Sequence, residues 1–165
     1  MEIKNRQDII NELTEMLVNY DKELNSNYQT DVYCYIDEDG NATLDEFINV
    51  GGNSWRNDDH YVVYTDKEHY EDEFECLGIS NINDISSIVN IDYDDLIKET
   101  REYEGIDEDE DVDYFDVCHY VKNNDYYTNI IHNAYLDYVE DGRADYYRKA
   151  CELVRELEEN IKSDK

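Results

Sequence analysis

The chain has 165 residues, 40% of them hydrophobic, and a net charge of −30 from 44 Asp and Glu against 14 Lys and Arg. A charge this negative sets the chain against direct contact with DNA, RNA or an anionic lipid surface, which would repel it. The 17 Tyr, three Phe and one Trp exclude a disordered acidic tail, because such tails are poor in aromatics and cannot bury a core.

The length fits one domain, or one domain with a small appended subdomain. Solubility alone asks for a net charge of magnitude about 2–8 in a small domain, so it does not account for thirty. A halophile's solvation shell, a weak cation buffer or an acidic chaperone-like surface would be plainer explanations. The many Ile, Asn and Tyr beside few Ala and Gly oppose the first of these. Met1 to Arg6 is not a signal sequence, and no apolar run approaches a membrane span. The expected location is therefore the cytoplasm, in a bacterial host cell, with Cys34, Cys76, Cys118 and Cys151 reduced and structural.

In chain order, Ile9, Leu13, Met16, Leu17, Tyr20 and Leu24 recur at helical spacing, predicting a helix over about 5–24 with Asn5 and Asp8 at its cap. Asn25 to Thr30 reads as a loop. From Asp31 the period changes to two: Val32 to Ile36, a turn at Asp37 to Asn41, Ala42 to Val50, and Tyr61 to Thr65. These make a three-stranded antiparallel meander over 31–65. Asp66 to Leu77 is expected to be helical with Tyr70 and Phe74 on one face, whereas 78–91 has no clear period. Helices follow over about 93–103, capped by Asp92, then 112–122, 125–140 and 143–162, with an acidic loop at 104–111. The last helix carries Tyr147, Cys151, Val154, Leu157 and Ile161 on one stripe. The expected architecture is a single α+β domain: N-terminal helix, small three-stranded antiparallel sheet, and a mostly helical remainder over 66–165.

The charge is unevenly spread. Residues 1–24 carry a net −3, residues 148–165 a net of zero, and residues 25–147 the remaining −27. Across 102–116 there are nine acids and no base. Duplex DNA presents one charge per about 1.7 Å of axis. A fixed array of carboxylates at comparable density would engage the Lys and Arg of a nucleic-acid channel without offering a cleavable bond.

Three local constellations point elsewhere. Asp37-Glu38-Asp39-Gly40-Asn41-Ala42-Thr43-Leu44-Asp45-Glu46-Phe47-Ile48 looks like an EF-hand calcium loop, with oxygens at Asp37, Asp39, Asn41 and Asp45. It departs at Ala42, where the turn glycine belongs, and at Ile48, where the bidentate glutamate belongs, and its flanks read as strands; an acidic hairpin turn is the better reading. Asp58-Asp59-His60 with His69 could hold a metal for hydrolytic chemistry, but such triplets arise easily in a chain this rich in Asp. The cysteine spacing fits no zinc pattern, and no phosphate-binding or nucleophile motif is present. No cofactor, no metal and no catalytic residue is expected. Tyr33, Tyr35, Tyr61 and Tyr64 read as half-buried strand residues. Tyr114, Tyr120, Tyr126, Tyr127, Tyr135, Tyr138, Tyr146 and Tyr147 exceed what one core stripe absorbs, so some belong to a surface that receives Arg and Lys stems.

In the acidic excess over 25–147, in segments such as Tyr70-Glu71-Asp72-Glu73-Phe74-Glu75, and in size, the chain resembles a class of proteins. These are the small acidic DNA-mimic inhibitors of phages and mobile elements, including anti-CRISPR and antirestriction proteins. The resemblance is compositional and carries over no residue by alignment. It implies stoichiometric inhibition of a basic nucleic-acid-binding protein, an RNA-guided nuclease such as Cas9 ahead of a restriction enzyme. An immunity protein for a basic nuclease toxin would have a similar surface. The carboxylates expected at the interface are Asp37, Glu38, Asp39, Asp58, Asp59, Glu71, Asp72, Glu73, Asp107, Glu108, Asp109, Glu110 and Asp111.

Overall fold

The structure, a computed structural model, describes residues 2–23, 29–49, 60–65 and 72–163. Its elements run α1 (Arg6–Lys22), β1 (Gln29–Ile36), β2 (Ala42–Asn49), β3 (His60–Thr65), α2 (Glu73–Cys76), α3 (Ile82–Val89), α4 (Tyr93–Glu104), α5 (Tyr114–Lys122), α6 (Asp125–Asp141) and α7 (Arg143–Ser163). This is the α+β arrangement expected. Two compact units emerge, Met1–Tyr70 with Val139–Lys165, and Glu71–Tyr138, each with its own buried cluster.

In the first unit α1 buries Ile9, Ile10, Leu13, Leu17 and Val18, at helical spacing, and α7 buries Ala150, Val154, Leu157 and Ile161. Both stripes join one cluster with Val32, Cys34, Leu44 and Val63 of the sheet. The α7 stripe is shifted from the expected one: Tyr147 is exposed and Cys151 half-buried, and the small Ala150 takes the position that faces the core.

The sheet is antiparallel throughout, but its order is β2-β1-β3, so the meander expected over 31–65 is corrected: the central strand is β1. The burial of β1 explains the choice. Thr30, Asp31, Val32, Tyr33 and Cys34 are all buried in succession, so the first part of this strand is covered on both faces and Tyr35 is exposed, whereas β2 and β3 each retain exposed positions. Strand β1 also begins at Gln29, inside the expected loop. A register shift at Val32/Tyr33 lets β3 follow the twist of the central strand.

The β1–β2 turn is tied to the N-terminal segment. Gly40 adopts φ +90°, and its carbonyl accepts a 2.9 Å hydrogen bond from the Lys4 amide. A Cβ there would lie 2.9 Å from the Glu2 carbonyl oxygen, so the turn needs glycine for space as well as conformation. Asn5, expected as a cap, makes no side-chain cap bond. Its Nδ2 donates to the Ala42 carbonyl at 2.9 Å and its Oδ1 accepts from the Ala42 amide at 2.8 Å, which sutures the helix start to β2.

In the second unit Phe74, Ile79, Ile85, Val89, Leu96, Val117, Tyr120, Val121, Tyr127 and Ile131 form the core. The stretch without a clear period contains α3, started by Asn81, whose side chain accepts from the Asp84 amide, and stopped by Asn90 at φ 55°. Helix α4 ends at Gly105, also left-handed. Asp92 stands at the α4 N-cap without a side-chain cap bond. The helix expected over Asp66 to Leu77 appears as α2, with residues 66–71 outside the described residues.

Candidate functional site

Within the second unit, 68 residues carry 20 acids and three bases, a net −17. The loop from Asp107 to Asp111 lies between α4 and α5, and all five side chains are exposed. Its backbone is held from below. The Arg101 guanidinium, on the last turn of α4, donates to the carbonyls of Asp107 and Glu110, the latter at 2.7 Å. The Glu110 amide closes the turn by donating to the Asp107 carbonyl at 3.0 Å. One of the unit's three bases thus neutralises no carboxylate but engages carbonyls, leaving the loop's carboxylates pointing to solvent.

The other acids of 102–116 divide by role. Asp113 and Asp116 form a reciprocal capping box at the start of α5, the Asp113 carboxylate accepting from the Asp116 amide at 2.9 Å and the reverse bond measuring 3.0 Å. Glu104 is paired with His119 across α4 and α5. Glu102 is exposed. Exposed rings lie on the same helices: Tyr103 on α4 and Phe115 on α5, the latter 77% accessible. Tyr103 also packs at a tilt against Tyr120, 5.2 Å between centroids.

Asp72 and Glu73 have structural duties. The Asp72 carboxylate caps α2 by accepting from the Glu75 amide at 2.9 Å, and its other oxygen is 3.7 Å from Lys122 Nζ. Glu73 accepts from His132 at 2.5 Å, joining α2 to α6. Lys122 also lies over the Phe74 ring. Glu71 and the pair Asp58 and Asp59 lie outside the described residues.

In the first unit Asp37, Glu38 and Asp39 form the β1–β2 turn. Asp37 Oδ1 accepts from the amides of Asp39 and Asn41 at 3.0 and 2.9 Å, so it serves the hairpin as an acceptor of backbone bonds, and Glu38 and Asp39 are exposed. Among the described residues no group of three or more His, Cys, Asp or Glu is arranged to hold a metal ion. His69 lies outside them. The four cysteines are free; burial pushes the Cys34 thiol up to about 11.

The tyrosines sort by burial. Tyr33, Tyr120, Tyr127 and Tyr135 are buried, whereas Tyr126, Tyr138 and Tyr147 are exposed. Tyr127 donates to Glu99 at 2.6 Å; burial and that bond hold its phenol well above the ordinary range. Burial pushes Tyr114 up to about 12, helped by its contact with Cys118. The sequence passed over Tyr103, Phe115 and the Arg101 clamp. A lone basic residue six positions before an acidic run was the available signal for the clamp.

Among the described residues no helix is long and apolar enough to cross a membrane. Comparison of the chain with protein-family models, with curated proteins and with solved structures finds no match.

Proposed function

We propose that the chain is a stoichiometric protein inhibitor that imitates the phosphate charge of nucleic acid and blocks the DNA-binding groove of a basic partner. The partner class favoured is an RNA-guided CRISPR nuclease such as Cas9, met in the cytoplasm of a bacterial host. The chain works by occupying that groove, with no catalytic step and no cofactor. The observation that carries the reading is the loop Asp107 to Asp111: five exposed carboxylates on a backbone pinned by Arg101, in a unit of net −17. A 68-residue unit has a radius of gyration of about 11 Å, hence a diameter of just under about 30 Å. Seventeen phosphates span about 29 Å of duplex. The unit's net charge over its whole surface is therefore comparable, per length, to that of the ligand it would replace. Tyr103 and Phe115 supply flat apolar surface for arginine and lysine stems.

The test is competition. A guide-loaded Cas9 is incubated with the chain and then with labelled target DNA at several salt concentrations. The expected result is loss of DNA binding at equimolar inhibitor, with affinity falling steeply as salt rises. Replacing Asp107, Glu108, Asp109, Glu110 and Asp111 by Asn or Gln is expected to weaken inhibition by about 100-fold or more, since each lost charged contact is worth on the order of 1 kcal/mol. Binding that ignores salt would end the phosphate-imitation reading. Affinity capture from host lysate extends the test, and recovery of a basic nuclease toxin would move the assignment to an immunity protein.

A further inference from the structure

The sheet of the first unit has one face packed in the core and one turned away from it. Register places Asp31, Tyr33 and Tyr35 of β1, Asp45 and Phe47 of β2, and Val62 and His60 of β3 on the outer face, with Asp45 half-exposed opposite Tyr33. Tyr35, Phe47 and Val62 are 40, 39 and 39% accessible, an apolar patch on a sheet of one small unit. At one end of this face is a carboxylate with one oxygen unsatisfied.

Asp31 is only 5% accessible. One carboxylate oxygen is 3.5 Å from the Tyr33 hydroxyl, at the outer limit of a hydrogen bond, and the other is buried with no donor. Isolated buried carboxylates cost several kcal/mol unless a donor reaches them. Among the described residues of the three strands there is no Lys or Arg, and Arg56 and Lys67 lie outside the described residues. At the other end of the face His60 Nδ1 is likewise buried without a partner, while its Nε2 faces Asp45 at 3.5 Å. Two unsatisfied buried polar atoms at opposite ends of one sheet face, which also exposes Tyr35, Phe47 and Val62, are features of a surface completed by something else.

We infer that this face docks a segment of a partner protein bearing an arginine, whose guanidinium donates to Asp31 Oδ1. Charge and shape select arginine. The missing group is a cationic donor, and it must pass beside Phe47, directly opposite Asp31 in register, and Tyr33, whose ring meets Phe47 edge-on at 5.2 Å. A planar guanidinium stacks on such rings while donating along its edge; a lysine ammonium does only the second. Tyr35 and Val62 receive the flanking apolar side chains. A second donor of the partner meets His60 Nδ1, four residues along β1 from Asp31 and so about 13 Å away. The inference stands apart from the phosphate-imitating surface: it concerns one buried carboxylate of the first unit and holds even if the loop of the second unit binds nothing.

The experiment titrates the full chain with N-acetyl-leucyl-arginyl-leucine amide at constant ionic strength, followed by NMR. Peptides with lysine or citrulline in place of arginine are the controls, one keeping the charge and the other the shape. The expected result is a saturable shift of the Asp31 carboxyl carbon and the Tyr33 and Phe47 rings, at least about tenfold weaker with either control. Asp31→Asn is expected to abolish the response at little cost in Tm, because among the described residues only the Tyr33 hydroxyl, at 3.5 Å, reaches the carboxylate. Val62→Lys, at an exposed site, is expected to abolish it by placing a cation on the face. The inference is overturned if arginine and lysine peptides give equal shifts spread over the helices, or if Val62→Lys binds as the parent does. A steep fall in Tm for Asp31→Asn would overturn it as well, since Oδ1 would then already have a donor within the fold.

Discussion

The two units answer the same electrostatic problem differently. The first holds 24 acids and 11 bases in 97 residues, the second 20 acids and three bases in 68. In the first, several bases are used to hold helices together. Arg6 pairs with Glu158 at 2.7 Å, and Arg143 bridges Glu15 and Glu140, the latter also reached by Lys22. These bonds hold the Glu140 carboxyl below its usual range. In the second, Lys122 sits over Phe74 near Asp72, and Arg101 is spent on carbonyls. Net charge follows from the scarcity of bases in the second unit, and which carboxylates stay unpaired follows from where those few bases are used. A unit stapled by ion pairs presents a mixed surface, and one whose arginine serves the backbone presents bare carboxylates.

Core deletions are the largest way to probe this division. Leu96→Ala and Leu157→Ala each remove a fully buried side chain, one per unit, and each is expected to cost about 2–5 kcal/mol. Amide exchange should show the loss in the unit that carries the substitution; equal loss of protection in both would break the comparison. Next, Gly40→Ala meets both a φ of +90° and the Glu2 carbonyl, with an expected cost of about 1–3 kcal/mol confined to the first unit. Failure to see the Lys4 and Ala42 amides exchange faster would contradict the suture described for that turn.

Alkaline pH gives a smaller effect, with a sign that can be worked out. Tyr114 and Tyr127 have raised phenol values in the fold, so above pH 10 the unfolded chain releases protons that the folded chain retains. Stability from these groups is complete below about pH 10 and falls as pH rises beyond it, by on the order of 1 kcal/mol. In the first unit the same sign applies to Cys34, starting near the ordinary thiol value of 9.0. Thermal melts across pH 8 to 11 should lose this slope in part for Tyr127→Phe, and a slope unchanged by that substitution would refute the assignment. Smallest of all, Arg101→Met should leave the core intact while speeding exchange at Glu110 and Asp111, at a cost of about 1 kcal/mol or less. An unchanged loop would mean that its shape does not depend on the clamp.

Much of the helical architecture was legible because its causes are local. The α7 periodicity recurs from Ala150 to Ile161, about three turns, and Gly105 ends α4 where the expected helix stops. Strand positions were legible from the period of two, but strand order was not. Which strand takes the centre is decided by which one can be buried on both faces over most of its length, a property of packing. The sequence also overestimated Tyr147, because a helical stripe allows several faces and only the partner helix selects the one carrying Ala150. In the candidate site the acidic run was plain, yet its internal division was hidden. Asp113 and Asp116 resemble their neighbours until the backbone shows them capping α5. Asp31 was equally hidden, one acid among many until burial singled it out.

The discontinuity of the first unit has a consequence for the order of folding. The second unit, Glu71–Tyr138, is one continuous stretch, whereas the core around Ile9, Leu13 and Val32 is closed only by Val154 and Leu157 of α7. Contacts that far apart in sequence close slowly. The expected order is therefore acidic unit first and apolar core last. Until α7 packs, mutual repulsion between the acidic units of neighbouring chains keeps their open cores apart.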